Sequence, residues 1–325
     1  MSLYLRSISK YVAVAISFFL VLILFSQISL SDVTETLTKI PLINFIAGFV
    51  LYAFSYIFRA WRFHVLLNDE VKITDLFDIE CVHNMVNSLL PARTGELSYI
   101  YLLKSYNRRS TGEGIATLVV ARIFDFIALA ILFFIAVLLI KDVPGLFADL
   151  LWIAAFFAII LLVFFIVLLH SGRKFAIFAQ KTITGIHLEK TRVADYILRK
   201  SFETAESLEK IRVGKNISVL FISSFLVWGS NFAIVYFLMS GMNFPISFFS
   251  VILGGTLILL TSVLPVQGIA GFGTTESIWT LAFVPLGLSV EEAIISGFCY
   301  HIIVIIYFMI LGTYGWLKLR EYIIL

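Results

Sequence analysis

The chain has 325 residues, of which 60% are hydrophobic and only 14% charged, with a mean hydropathy of +1.01. A soluble domain carries about a quarter charged residues, so a soluble globular protein is excluded, and a net charge of +3 is too small to point to nucleic acid. The composition reads as an all-α polytopic membrane protein, a single transmembrane domain over 1–325.

The first apolar run, Val12–Leu24, follows Arg6 and Lys10. It continues to Ile28 without a small-x-small cleavage site, so a retained first helix is expected rather than a signal peptide. Ser29–Lys39 is short and acid-balanced, as an outer loop should be. Phe45–Phe58 is the second span, with Arg59, Arg62 and Lys72 at its inner end; both arginines are expected to snorkel toward head groups. Asp75–Tyr106 is amphiphilic and broken at Leu90–Glu96. Lys104, Arg108 and Arg109 precede the third span, Ile127–Ile140, and Lys141–Asp149 is a second outer loop. Leu150–Leu169 is the fourth span. The 170–215 segment holds ten Lys/Arg against five acids and reads as a cytoplasmic helical loop, with Leu198, Phe202, Ala205, Leu208 and Ile211 at helical spacing. Ile217–Met239 is the fifth span, Ile246–Leu286 is apolar but broken at Leu264–Glu276, and Ile302–Trp316 is the sixth. Lys318 and Arg320 follow it, so the basic residues place both termini on the cytoplasmic side.

The two broken segments resemble each other. Ser88-Leu-Leu-Pro91 matches Ser262-Val-Leu-Pro265, and Thr94-Gly-Glu96 matches Thr274-Thr-Glu276. Each break leaves pieces mostly too short to span, since a crossing needs about 20 residues. Read as re-entrant helical hairpins entering from opposite sides, they divide the chain into inverted halves, 1–140 and 150–318. Paired interrupted helices in inverted repeats point to a transporter's binding site. The rival reading is eight plain spans.

Ionisable residues inside a membrane are costly and mark function. Arg93 and Glu96 sit in the first break, after Asn84 and Asn87. Gln267, Thr274 and Glu276 sit in the second. Arg122 and Asp125 lie in the third span, and His301 near the start of the sixth. Thr94 and Thr274 are expected to N-cap the second half-helix of each hairpin, with Glu96 and Glu276 at its positive end. These acids either stabilise the helix start or meet a cationic head group or a proton. Arg93, beside free N–H groups, either cradles a phosphate or pairs with Glu96. Arg122 and Asp125, spaced i,i+3, are expected to pair with each other first. Asn231 is expected to bond a neighbouring helix. Pro91, Gly95, Pro265, Gly268, Gly271 and Gly273 are the candidate hinges.

No P-loop, His-Glu-x-x-His or Gly-x-Ser-x-Gly pattern is present, so no cofactor, metal or catalytic residue is expected. Cys81 and Cys299 read as free buried thiols.

At Asn87–Glu96, Ala121-Arg-Ile-Phe-Asp125 and Leu264–Glu276, over roughly residues 5–320, the sequence resembles the lysylphosphatidylglycerol synthase transmembrane region, or flippase-like domain, family. Ala121 stands where many relatives carry an acid. The resemblance implies a stand-alone lipid flippase in a bacterial or archaeal cell membrane. Its substrate would be a phospholipid or polyprenyl-phosphate head group held by the break residues. No soluble transferase domain accompanies the spans, so synthase activity is not implied. Membrane lipids are the expected partners, with a lipid-modifying enzyme or glycosyltransferase alongside. The alternatives are an intramembrane lipid-modifying enzyme using Glu96, Asp125 or His301, and a membrane anchor for a glycosyltransferase.

Overall fold

A computed structural model describes residues 19–90, 95–140, 191–211, 213–244, 246–261 and 269–323, with isolated positions between 144 and 184. Every regular element among them is helical. Among the described residues, four helices are long and apolar enough to cross a membrane: α3 (Leu42–Leu66), α6 (Thr111–Leu139), most of α8 (Val213–Gly241) and α11 (Val290–Ile323). They correspond to four of the six expected spans: α3, α8 and α11 extend theirs at both ends, and α6 extends the third at its start and stops one residue short of Ile140. The protein is therefore a multi-pass membrane protein. The other two expected spans, Val12–Leu24 and Leu150–Leu169, lie in large part outside the described residues.

α3 shows how the sequence divides its faces. Ile43, Ile46, Val50, Phe54 and Ile57 form an exposed stripe at helical spacing, suited to lipid. Gly48, Tyr52, Ser55, Tyr56, Ala60, Arg62 and Phe63 are buried on the other side. Arg62 is only 1% exposed, so it does not snorkel. Its place on the inward stripe of α3 sends the side chain between helices.

The expected outer loop Ser29–Lys39 is instead a helix, α2 (Leu30–Lys39), bent 77° from α1 (Phe19–Phe25). Ser29 and Asp32 form a reciprocal capping box, with Ser29 N donating to Asp32 Oδ2 at 2.8 Å. Lys39 in the last turn suits the negative end of the helix. Local capping thus makes a helix from a segment whose polarity looks like loop.

The broken segments fold as paired short helices. α4 (Ile73–Leu89) packs on α5 (Glu96–Asn107). After a 3₁₀ turn at Ile269–Gly271, α10 (Thr274–Phe283) packs on the preceding α9 (Phe248–Thr261). Each has 10 to 17 residues, short of the roughly 20 a crossing needs. Each leading helix is covered by a span from the other end of the chain: α4 by α11, and α9 by α6. Close contact replaces hydrophobic driving force between helices in lipid. Gly312 shows how close: a Cβ there would lie 2.4 Å from the Met85 side chain of α4.

α7 (Arg192–Lys210) is the expected amphipathic helix of the 170–215 loop. It lies along α6, with Ala194, Ala205, Ser207 and Leu208 buried and Leu198 and Phe202 partly so. Glu203 accepts from the Gly112 backbone N–H at 2.8 Å and pairs with Lys200. Cys81 and Cys299 are buried free thiols.

Candidate functional site

Each pair of short helices carries a glutamate at the start of its second member, and each glutamate reaches the span that follows. Glu96, the first residue of α5, accepts from Arg122 of α6, with Nη2 2.9 Å from Oε1. Glu276 of α10 meets His301 of α11, with Nδ1 2.6 Å from Oε1. The partners are 26 residues apart in the first pair and 25 in the second. Their surroundings differ. Glu96 and Arg122 are 34% and 29% exposed at the side chain, while Glu276 is fully buried. The His301 ring also lies against Phe272, with centroids 4.7 Å apart.

The two helix starts are capped differently from expectation. Thr274 is not an N-cap: Gly273 takes that position, with φ +80°, and Thr274 is the first helical residue. The sharp backbone bend at Ala270, Gly271 and Gly273 shifts the helix start back by one residue. Thr274 Oγ1 instead donates to Gly271 O at 3.0 Å. Glu276 Oε2 accepts from the Gly273 N–H at 2.7 Å, so one carboxylate both closes the helix start and holds His301. On the first side Gly95 precedes Glu96 and has no side-chain cap. Its carbonyl lies 3.2 Å from His83 Nδ1. A Cβ on Gly95 would sit 2.2 Å from Asn87 Cα, so only glycine lets α5 begin this close to α4.

Asp125 does not pair with Arg122. It is buried on α6 and takes a two-pronged contact from Arg62 of α3, at 2.5 and 3.3 Å. Arg62 Nη1 also donates to Ser224 Oγ of α8 at 2.8 Å. This pair ties three spans together. The forked guanidinium matches a carboxylate across helices, whereas a partner three residues along the same helix would leave Arg62 bare. Arg122 consequently turns to Glu96.

Around these pairs lie Glu80 and His83, which the sequence reading passed over, and Arg59, which it expected to snorkel. Glu80 is 1% exposed and takes the Asn84 side-chain amide at 3.0 Å. His83 is buried beside Tyr99. Arg59 stands 6.0 Å from the centre of the Trp228 ring. A signal for α4 was present: Glu80, Asn84 and Asn87 fall at i, i+4 and i+7, on one helix face. Asn231 donates to Val227 O of its own helix at 2.9 Å rather than to a neighbouring helix, because that carbonyl is one turn back. Arg93, Thr94, Pro91, Gln267, Pro265 and Gly268 lie outside the described residues. No group of three or more His, Cys, Asp or Glu side chains gathers as a metal site among the described residues.

No solved structure matches the chain. The UPF0104 membrane protein PH1989 of Pyrococcus horikoshii is 23% identical over 306 residues, covering 88% of this chain and 89% of the relative. The UPF0104 membrane protein MJ1078 of Methanocaldococcus jannaschii is 29% identical over 160 residues, covering 49% of this chain and 62% of the relative. Residues 11–312 match the family described as the lysylphosphatidylglycerol synthase TM region. That match covers most of the chain, and the protein belongs to this family of membrane proteins.

Proposed function

We propose that the protein is a lipid flippase that moves a phospholipid or polyprenyl-phosphate head group between leaflets, built as an inverted repeat of residues 1–140 and 150–318. The observation that carries this reading is the matched placement of Glu96–Arg122 and Glu276–His301. The helix packing supports it. Exchanging α3, α4, α5 and α6 for α8, α9, α10 and α11 turns each main packing pair among them into another that is present. α3 against α8 maps onto itself, α4 against α11 becomes α9 against α6, and α5 against α6 becomes α10 against α11.

Two matched glutamate contacts, one half-exposed and one buried, suit alternating access. In this reading both α4–α5 and α9–α10 are re-entrant hairpins, and the half-exposed Glu96–Arg122 latch faces the accessible side. Arg93 and the half-helix N-termini hold the phosphate, with Asn87, Gln267 and Thr274 beside it. The prolines and glycines of the breaks let each hairpin shift. Both termini are cytoplasmic in a bacterial or archaeal cell membrane, and a lipid-modifying enzyme or glycosyltransferase works alongside.

Leaflet exchange of fluorescent phospholipids in reconstituted vesicles tests this. Wild-type protein should accelerate exchange, and Arg93→Ala or Glu276→Ala should abolish it. Exchange unchanged in both variants overturns the site. The buried Glu276–His301 contact also favours a second reading, an intramembrane acid–base enzyme. That reading requires a new lipid product by mass spectrometry, whereas a flippase makes none.

A further inference from the structure

Arg59 on α3 lies within electrostatic reach of Arg62, Arg122, Glu80 and Asp125. With Glu96, the partner of Arg122, the described residues of this sector are three cations and three anions. Two of the three pairs they allow are made, Arg62 with Asp125 and Arg122 with Glu96. The third is not. Among the described residues, neither Arg59 nor Glu80 has an oppositely charged side chain within ion-pair distance.

Their unused atoms complement each other. Arg59 Nε and Glu80 Oε1 are both buried and without a hydrogen-bond partner. Glu80 is 1% exposed, and its other oxygen accepts from the Asn84 amide. α3 and α4, which carry the two residues, pack directly on each other. Asn87 Oδ1 on α4 and Arg62 Nε on α3 are left unpaired beside them. Buried polar atoms are nearly always paired, and a charge held away from water without a counter-ion is costly. Opposite charges on touching helices, each with an idle atom, are a contact that this conformation leaves open.

The contact able to give way in exchange is Glu96–Arg122, which is half-exposed, whereas Arg62–Asp125 is fully buried. Glu96 begins α5, and α5 packs on both α4 and α6. A shift of α4 against α3 therefore also moves Glu96 relative to Arg122.

We propose that α4 and α5 move together between two conformations, and that Arg59–Glu80 closes as Glu96–Arg122 parts, with Arg62–Asp125 intact in both. Each conformation then contains two ion pairs of this sector, which keeps the two close enough in energy for a ligand to shift the balance. This rests on the lipid-transport reading and gives its conformational step a named pair of residues.

The separation of α3 and α4 tests this without transport. Nitroxide labels go on exposed positions, Phe54→Cys on α3 and Leu89→Cys on α4, in the full chain with Cys81→Ala and Cys299→Ala. Pulsed double electron–electron resonance in lipid nanodiscs should show two separations. Glu80→Gln, nearly isosteric, should reduce the shorter relative to the longer at least about tenfold, the worth of one charge-assisted hydrogen bond. Arg122→Gln should enrich the shorter, because only the longer uses Arg122. A change that merely loosened the fold would not move the two variants in opposite directions. One separation in the labelled parent overturns the proposal. So does a ratio that Glu80→Gln leaves within about twofold, or one that Arg122→Gln fails to raise. The expected pattern in protein that exchanges no lipid would retain this device and remove the flippase reading; lipid exchange with a single separation would do the opposite.

Discussion

Arg62 on α3 holds Asp125 on α6 through both carboxylate oxygens, 63 residues away in sequence and fully inside the helix bundle. Removing one partner strands the other as a buried charge. Arg62→Met or Asp125→Leu alone should therefore destabilise the protein by about 3–5 kcal/mol. The double variant should recover much of that loss. Thermal unfolding in detergent, read by intrinsic fluorescence, measures both, and a double variant no better than its parents counts against the pairing.

At the second hairpin, Glu276→Gln keeps the size of the side chain but weakens its bonds to Gly273 N and His301. On the flippase reading, leaflet exchange should fall by roughly tenfold, as expected for a lost charge-assisted hydrogen bond. His301→Arg should retain exchange better than His301→Leu, because Arg122 already occupies the corresponding place beside Glu96. The comparison is a rate measured in vesicles of fixed protein content.

Gly95 has no room for a methyl group. Gly95→Ala should force α5 away from α4 at a cost of about 1–3 kcal/mol, with a matching loss of exchange. Gly145→Ala is the contrast, since nothing lies within 4 Å of a Cβ there. Unfolding midpoints that fall equally in the two variants would contradict the close approach.

Outside the spans, Glu203 holds α7 to the start of α6. Partial burial pushes its carboxyl up, but Lys200 and the Gly112 N–H outweigh this and hold it below the usual carboxylate range. A carboxyl depressed on folding stabilises the docked state above its unfolded value, near 4.3. That contribution is lost as pH falls through the lower folded value. Hydrogen exchange over residues 192–210 should accelerate on acidification into that window. Glu203→Gln should show faster exchange at neutral pH and little further change with acid.

The four long helices were legible because an 18-residue apolar window has few other uses. The two glutamates of the hairpins were legible too, since the same Pro and Thr-x-Glu pattern occurs twice. The partners were harder to read. Arg122 and Asp125 sit on one helix face, which suggested a mutual pair. Choice between helices decides the matter, and the sequence contains no direct record of which guanidinium lies across from which acid. α2 was hidden for a different reason. A short polar helix secured by its own cap has the composition of a loop. Glu80 was visible only as a helical spacing with Asn84 and Asn87, and its significance depends on finding it buried with one oxygen unbonded.

The crossed covering of the short helices has a consequence for how such a protein is made. α4 is roofed by α11 and α9 by α6, so neither end of the chain completes itself. The first hairpin waits for the last helix to be synthesised before it gains its main neighbour. Two fragments divided between residues 140 and 191 would have to be produced in the same membrane to find one another.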